Sequence, residues 1–261
     1  MAEAVPVFTT ESPRIRKIEL DRPWHWLAAG WRDLWRAPLV SLGCGVIFAA
    51  VGYAITLGLW LADMIYLVLP MVCGFIIVGP LMAVGLYEIS RRLEAGEPVS
   101  LTVALLAWRR NASQIGLMGV ALMLFLFAWI RLAALLFMLF YGLAPPSLET
   151  LVADTFLSPE GLPFLIIGTL IGGVLSALVY AISVVSVPLL LDRPDANVIT
   201  AIATSVVAVR ENLVPLAFWA VLIVGFAAAG LVTLYLGLIV TLPLIGHATW
   251  HAYRDLVDHQ A

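Results

Sequence analysis

Residues 213–248 read LVPLAFWAVLIVGFAAAGLVTLYLGLIVTLPLIGHA, a stretch without a single Asp, Glu, Lys or Arg. As one straight helix it would be about 54 Å long at 1.5 Å per residue, against a hydrocarbon core of about 30 Å. Tilt absorbs only part of such an excess. Two short helices hinged at Gly225–Gly230 (GFAAAG) fit better, so the stretch is expected to cross a membrane and come back.

Working outward toward the N-terminus, four further apolar stretches of spanning length appear. They run from Pro38 to Trp60, from Met64 to Ile89, from Ile115 to Phe140 (IGLMGVALMLFLFAWIRLAALLFMLF), and from Leu162 to Leu191, where DRPDAN ends the last. Asp63 marks a tight turn between the first two, and Arg91 and Arg92 close the second. Gly96 is placed to end a helix and Ser100 to cap the next. Residues 141–161 (YGLAPPSLETLVADTFLSPEG) carry the Pro and Gly of a loop, with Glu149, Asp154 and Glu160. The expectation is an all-α, polytopic transmembrane helix bundle with six spans, or five if residues 213–248 form one.

Composition agrees: 62% of residues are hydrophobic, 12% are charged, and mean hydropathy is +1.03. A soluble domain carries about 25% charged residues. Cys44 and Cys73 fall inside apolar spans at different depths, which suits small buried hydrophobes and not a disulfide.

Charge placement orients the bundle. Arg14, Arg16, Lys17, Arg22, Arg32 and Arg36 precede the first span, and no apolar h-region of a cleavable signal precedes them. With the N-terminus inside, every Lys and Arg except Arg131 lies in a cytoplasmic segment, as the positive-inside rule predicts. With five spans, Arg254 would fall outside. The expected organisation is a flexible cytoplasmic arm over residues 1–22 and a single transmembrane domain over 23–261, in a bacterial-type inner membrane.

Three segments share a plan of an amphipathic stretch, an Arg-containing step and a span: WLAAGWRDLWRAPLV (26–40), VALLAWRRNASQI (103–115) and AIATSVVAVRENLVP (201–215). In the first, Trp24, Leu27, Ala28, Trp31 and Trp35 recur at helical spacing, with Arg32, Asp33 and Arg36 off that face. Trp24, Trp31 and Trp35 are interfacial candidates, because Trp rings sit at headgroup level and Arg reaches lipid phosphate. Pro-Leu steps recur at Pro80, Pro188 and Pro243. Aligning the first and last sets Tyr87 against Trp250, Glu88 against His251 and Arg91 against Arg254. Three repeated hairpin units are one reading, and chance recurrence of Pro and aromatics is the other.

The stretches RKIELDRPWHWLAAGWRDLWRAPLVSLG (16–43), GPLMAVGLYEISRRLEAGE (79–97) and LPLIGHATWHAYRDLV (242–257) resemble the bacterial integral membrane family catalogued as domain of unknown function 2189. The resemblance is expected to cover nearly the whole chain. It implies a helical membrane fold and transfers no activity.

Few residues offer chemistry. Arg131 is the basic residue inside a span, where a charge costs on the order of 2.5–3.5 kcal/mol. It pairs with Asp63 or a loop carboxylate, or snorkels to the outer interface. His247, His251 and Asp255 share one helix face, and Glu88 is a conceivable third metal ligand, but HExxH is absent and polar helix termination explains the pair as well. Glu88 with Arg91 and Arg92 makes an ordinary charged helix end. Gly168, Gly172, Gly173 and Ala177, like Gly45 and Ala49, have the small-xxx-small spacing of close helix packing, within the bundle or between copies.

No phosphate-binding Gly-Lys loop, dinucleotide fingerprint, nucleophile elbow or nucleic-acid patch occurs. The expectation is a non-enzymatic membrane accessory or scaffold protein without cofactor, engaging the lipid bilayer and other membrane proteins or a homo-oligomer, and no nucleic acid. A small-solute transporter or channel is the main rival, and a metal-binding or redox accessory the third reading.

Overall fold

In lipid, backbone N–H and C=O groups must bond within their own segment, which favours helices. The computed structural model describes residues 13–142, 158–159 and 161–258. Its helices are α1 (Arg22–Arg36), α2 (Pro38–Leu61), α3 (Val68–Met82), α4 (Val84–Ala95), α5 (Leu101–Leu105), α6 (Ala112–Tyr141), α7 (Gly161–Ser183), α8 (Ser186–Asp192), α9 (Val198–Glu211), α10 (Leu213–Val232) and α11 (Leu238–Leu256). Short 3-10 turns cover Ile65–Leu67 and Ala107–Asn111. Most of the loop at 141–161, with Glu149, Asp154 and Glu160, lies outside the described residues.

The punctuation follows the sequence. Pro opens α1 and α2 near N1, where its missing N–H costs nothing. Gly96 ends α4 in the left-handed region at φ 69°, and the Ser100 hydroxyl accepts the Val103 N–H at 3.2 Å. The α3–α4 break falls just beyond Pro80, and the α7–α8 break just before Pro188.

Among the described residues, five helical segments are long and apolar enough to cross a membrane: Pro38–Leu61, Pro70–Ala95, Ala107–Tyr141, Gly161–Asp192 and Leu213–Val232. The sixth expected span, α11, is a 19-residue helix whose last turns carry His247, His251, Arg254 and Asp255. It nonetheless traverses the bundle. Tyr235, just before it, bonds Thr56 late in α2, whereas His247 bonds Ser41 early in α2. It therefore runs antiparallel to α2 and returns to the end where α2 began.

The two ends of the chain meet there. Ile15 and Val257 form an antiparallel β-bridge, the Arg16 N–H donates to the Leu256 carbonyl at 2.8 Å, and the Asp258 N–H donates to Arg14 at 2.9 Å. An even number of passages follows from this closure. Of the flexible arm expected over residues 1–22, only residues 13–22 are described. In its described part the arm is docked, with the Ile18 N–H donating to the Asn212 side chain at 2.9 Å and Asn212 donating back to the Arg16 carbonyl.

The hinge also moves. Gly225 and Gly230 stay inside α10, and the chain turns at residues 233–237, where Leu234 and Tyr235 take positive φ. GFAAAG has no side chain to satisfy backbone groups that a break would free. Thr233 does: its hydroxyl donates to the Gly230 carbonyl at 2.9 Å and accepts the Gly237 N–H at 2.8 Å.

The threefold plan is visible in the backbone. The residue that starts the first span of each unit is Ala37, Asn111 or Asn212, with φ/ψ of −134°/58°, −145°/62° and −126°/41°. Each follows a short helix or turn at the charged end. The units are not equal, because the last helix of the second unit breaks before Pro188 and that of the third does not.

Helix α11 is the hub, packed against α1, α2, α10 and α4. Glycines let backbones touch it. A Cβ on Gly30 would lie 2.7 Å from the Ala248 nitrogen, and one on Gly45 would collide with the Ile239 carbonyl. Gly45 and Ala49 thus pack inside the bundle. In α7, Gly172 faces the Trp129 ring, whereas Gly168 and Gly173 face open space. Cys44 is a buried free thiol, and the Cys73 side chain lies outside the described residues.

Candidate functional site

The amphipathic pattern of α1 splits it into faces. Pro23, Trp26, Leu27, Gly30, Asp33 and Leu34 are buried against the bundle. Trp24, Trp31 and Trp35 remain 55%, 45% and 56% exposed. Asp33, expected on the polar side, is instead buried, one turn from Gly30, where α1 meets the α11 backbone.

Around Asp33 a buried polar network forms at the charged end. His251 Nε2 donates to Asp33 Oδ2 at 2.7 Å. One turn earlier on α11, His247 is fully buried, with Nδ1 2.8 Å from Ser90 Oγ and Nε2 2.9 Å from Ser41 Oγ. Ser90 also faces the Asp33 carboxylate. Burial alone would raise the Asp33 pKa, but the hydrogen bond and charge of His251 and the Ser90 hydroxyl outweigh it and hold the carboxyl below its ordinary 3.8.

Ionised Asp33 only accepts, so His251 is the donor in that bond. His247 is held between two hydroxyls, Ser90 on Nδ1 and Ser41 on Nε2, which ties α2, α4 and α11 together, and the His251–Asp33 bond adds α1. The Ser41–His247 pair has the composition of a nucleophile and its base, but both residues are completely buried, so no substrate reaches the hydroxyl.

The metal set suggested by His247, His251 and Glu88 is not assembled. Glu88 points to its own helix end, 2.8 Å from Arg91 and 2.7 Å from Arg92, with Arg110 at 3.7 Å. A buried carboxylate is held more favourably by two guanidinium groups than by two imidazoles already bonded elsewhere. Among the described residues no group of three His, Cys, Asp or Glu side chains is spaced to hold a metal. Asp255, on the same face of α11, is bound by Arg22 at 2.7 Å and by the Trp26 indole at 3.0 Å.

Arg131 and Asp63 do not pair; among the described residues neither makes an ion pair. Arg131 is exposed about 30 Å along α6 from Asn111, and its neighbour Trp129 donates to the Pro70 carbonyl at the start of α3. It therefore sits at the end of the bundle opposite the charged one.

Midway between, a chamber of about 110 Å³ opens among α3, α7, α10 and α11. Gly79 and Pro80 from α3, Ser183 and Val184 from the end of α7, and Leu242 from α11 line its wall. No charged side chain lines it. Tyr180, Ser183 and Thr249 are spent on the carbonyls of Leu216, Val179 and Ile245.

These features, a helical bundle with a charged end and an apolar interior, agree with a family comparison. Residues 68–192 match a known family, described as predicted integral membrane protein (DUF2189). The DUF2189 match begins at α3 and ends at α8, just under half of the chain. It holds Glu88 and Ser90 and leaves Asp33, Ser41, His247 and His251 outside. Of the three stretches that carried the resemblance, the one at 79–97 lies within it, so the near-complete coverage expected from sequence is not reached. No curated protein and no solved structure matches the chain significantly.

Sequence reading missed Asp33, Ser41 and Ser90 as partners of the histidines. The available signal was that all three lie near helix ends at the charged end of the chain. Nothing local says which of the many polar residues there turn inward.

Proposed function

We propose that the protein is a non-enzymatic accessory of a bacterial-type inner membrane, N-terminus cytoplasmic, that works by holding lipid or another membrane protein. The observation carrying this reading is the chamber: its lining is apolar, and three of its five polar side chains are tied to backbone. A pathway for charged solutes would need polar groups free to replace water. The buried Ser41–His247 pair lacks access, which speaks against catalysis. The charged end, with the arm, α5, α9 and the end of α11, is the side that the positive-inside rule assigns to the cytoplasm.

Purification of the full chain in mild detergent with native lipids, followed by identification of everything bound, is the test. A stoichiometric lipid, partner or second copy supports the proposal. A bare monomer whose thermal stability rises with an added solute overturns it. The rival transporter reading draws on the helix breaks near Pro80 and Pro188, and predicts solute flux in proteoliposomes that Arg131→Ala alters.

A further inference from the structure

The charged end carries an open basin of about 290 Å³ between α1 and the last turns of α11. Arg22, His25 and Arg32 contribute from α1, and His251, Arg254 and Asp255 from α11. Three guanidinium groups therefore face one carboxylate, and that carboxylate is already spent. Asp255 is gripped by Arg22 and also accepts the Trp26 N–H. Arg254 is steadied from behind by Glu94 at 3.0 Å, with Asp192 at 3.6 Å.

Arg32 is different. It is exposed, and among the described residues no hydrogen bond or ion pair holds it. His25 has Asp21 at 3.7 Å as its carboxylate neighbour. The basin thus presents cationic donors with capacity left, arranged on two helices that Gly30 brings into backbone contact. A planar guanidinium fork matches phosphate oxygens better than it matches chloride or a lone carboxylate.

What lies beside the basin identifies the source of the phosphate. At 100° per residue, His25 and Arg32 fall between the α11-facing side of α1 and the stripe of Trp24, Ala28, Trp31 and Trp35. That stripe is exposed, and Leu39 just beyond it is 89% exposed. A phosphate seated on Arg32 would have an apolar, indole-rich surface at its flank, where a lipid places its glycerol and upper acyl chain. A soluble anion has no use for that surface.

We propose that this basin binds the phosphate of an anionic phospholipid headgroup, with Arg32 and His25 reaching it from α1 and Arg254 from α11. The proposal deepens the lipid-holding reading and rests on the charged end lying at a leaflet surface. Phosphatidylglycerol is the probe, titrated against delipidated full-length protein by native mass spectrometry, with phosphatidylcholine as the neutral comparison.

Phosphatidylglycerol is expected to bind more tightly than phosphatidylcholine. Arg32→Ala is expected to weaken it about fivefold, the worth of one basic side chain near a charged surface. Arg210→Ala, an exposed charge elsewhere at the same end, leaves it unchanged. Because Arg32 holds nothing in the fold, the variant remains assembled. Equal retention of the two lipids, or an Arg32→Ala protein that binds like the parent, overturns the proposal. So does displacement of phosphatidylglycerol by an excess of inorganic phosphate, which marks a free-anion site. A protein that stays in the membrane fraction yet fails these tests loses the basin and keeps its membrane character.

Discussion

His251 donates to Asp33 at 2.7 Å across 218 positions of sequence, and with Arg22–Asp255 and Trp26–Asp255 this bond fastens the first and last helices of the described chain. Asp33 is buried, and His251, which also lines the basin between α1 and α11, is partly exposed.

Asp33 sets an acid limit on stability. Its folded pKa lies below the ordinary 3.8, so the unfolded chain binds the proton first as pH falls. The stabilisation is complete above about pH 5 and fades as pH drops through the lower folded value. Thermal unfolding in detergent should show a midpoint that falls more steeply below about pH 5 than between neutral pH and pH 5. Asp33→Asn should lose about 1.5–3 kcal/mol at neutral pH and flatten the acid limb. An unchanged acid limb would remove Asp33 from the account.

His247 is a packing lock. Its replacement by Ala strands the Ser41 and Ser90 hydroxyls in a dry interior and leaves a void, at a cost of about 3 kcal/mol or more. His25→Ala, on an exposed side chain, should shift stability by less than about 0.5 kcal/mol. Comparable losses in the two variants, measured side by side by chemical denaturation, would contradict the network.

Glycines at helix contacts and glycines facing open space should separate cleanly. Gly45→Ala forces α2 off the Ile239 carbonyl, and overpacking of that kind costs about 1–3 kcal/mol. Gly173→Ala and Gly116→Ala meet nothing within 4 Å and lie in helices, so the better helix propensity of Ala should leave stability unchanged or improve it by about 0.5–1 kcal/mol. Midpoint shifts in one detergent decide it.

Topology can be read at two exposed positions. Leu234→Cys, in the turn between α10 and α11, and Arg131→Cys, late in α6, are expected at the same face of the membrane. In cells carrying a protein stripped of its own cysteines, both should react with an impermeant maleimide added outside, and Arg210→Cys should react only after lysis. Protection of Leu234→Cys would undo the six-passage path.

Much of the fold was legible because lipid acts on each residue locally. The limits of α2, the Gly96 stop, the Ser100 cap and the short helix before each unit follow from charge, hydropathy and capping chemistry. The hinge was misplaced by several residues because Gly225 and Gly230 mark conformational freedom, whereas a break near lipid goes to a side chain that can bond the freed backbone, as Thr233 does. The candidate site was half legible. His247 and His251 stood out by spacing, but the carboxylate that serves them came from α1 and not from Glu88, whose own arginines were three and four residues away.

Length of apolar run, placement of arginines and position of prolines were settled by sequence alone, since exclusion of charge from hydrocarbon depends on one segment and its solvent. Which polar groups turn inward was decided only by tertiary structure. Burial belongs to pairs of faces, and it took Gly30 and Gly45 closing on α11 to bring Asp33, Ser41 and Ser90 around two histidines more than 150 residues away from each.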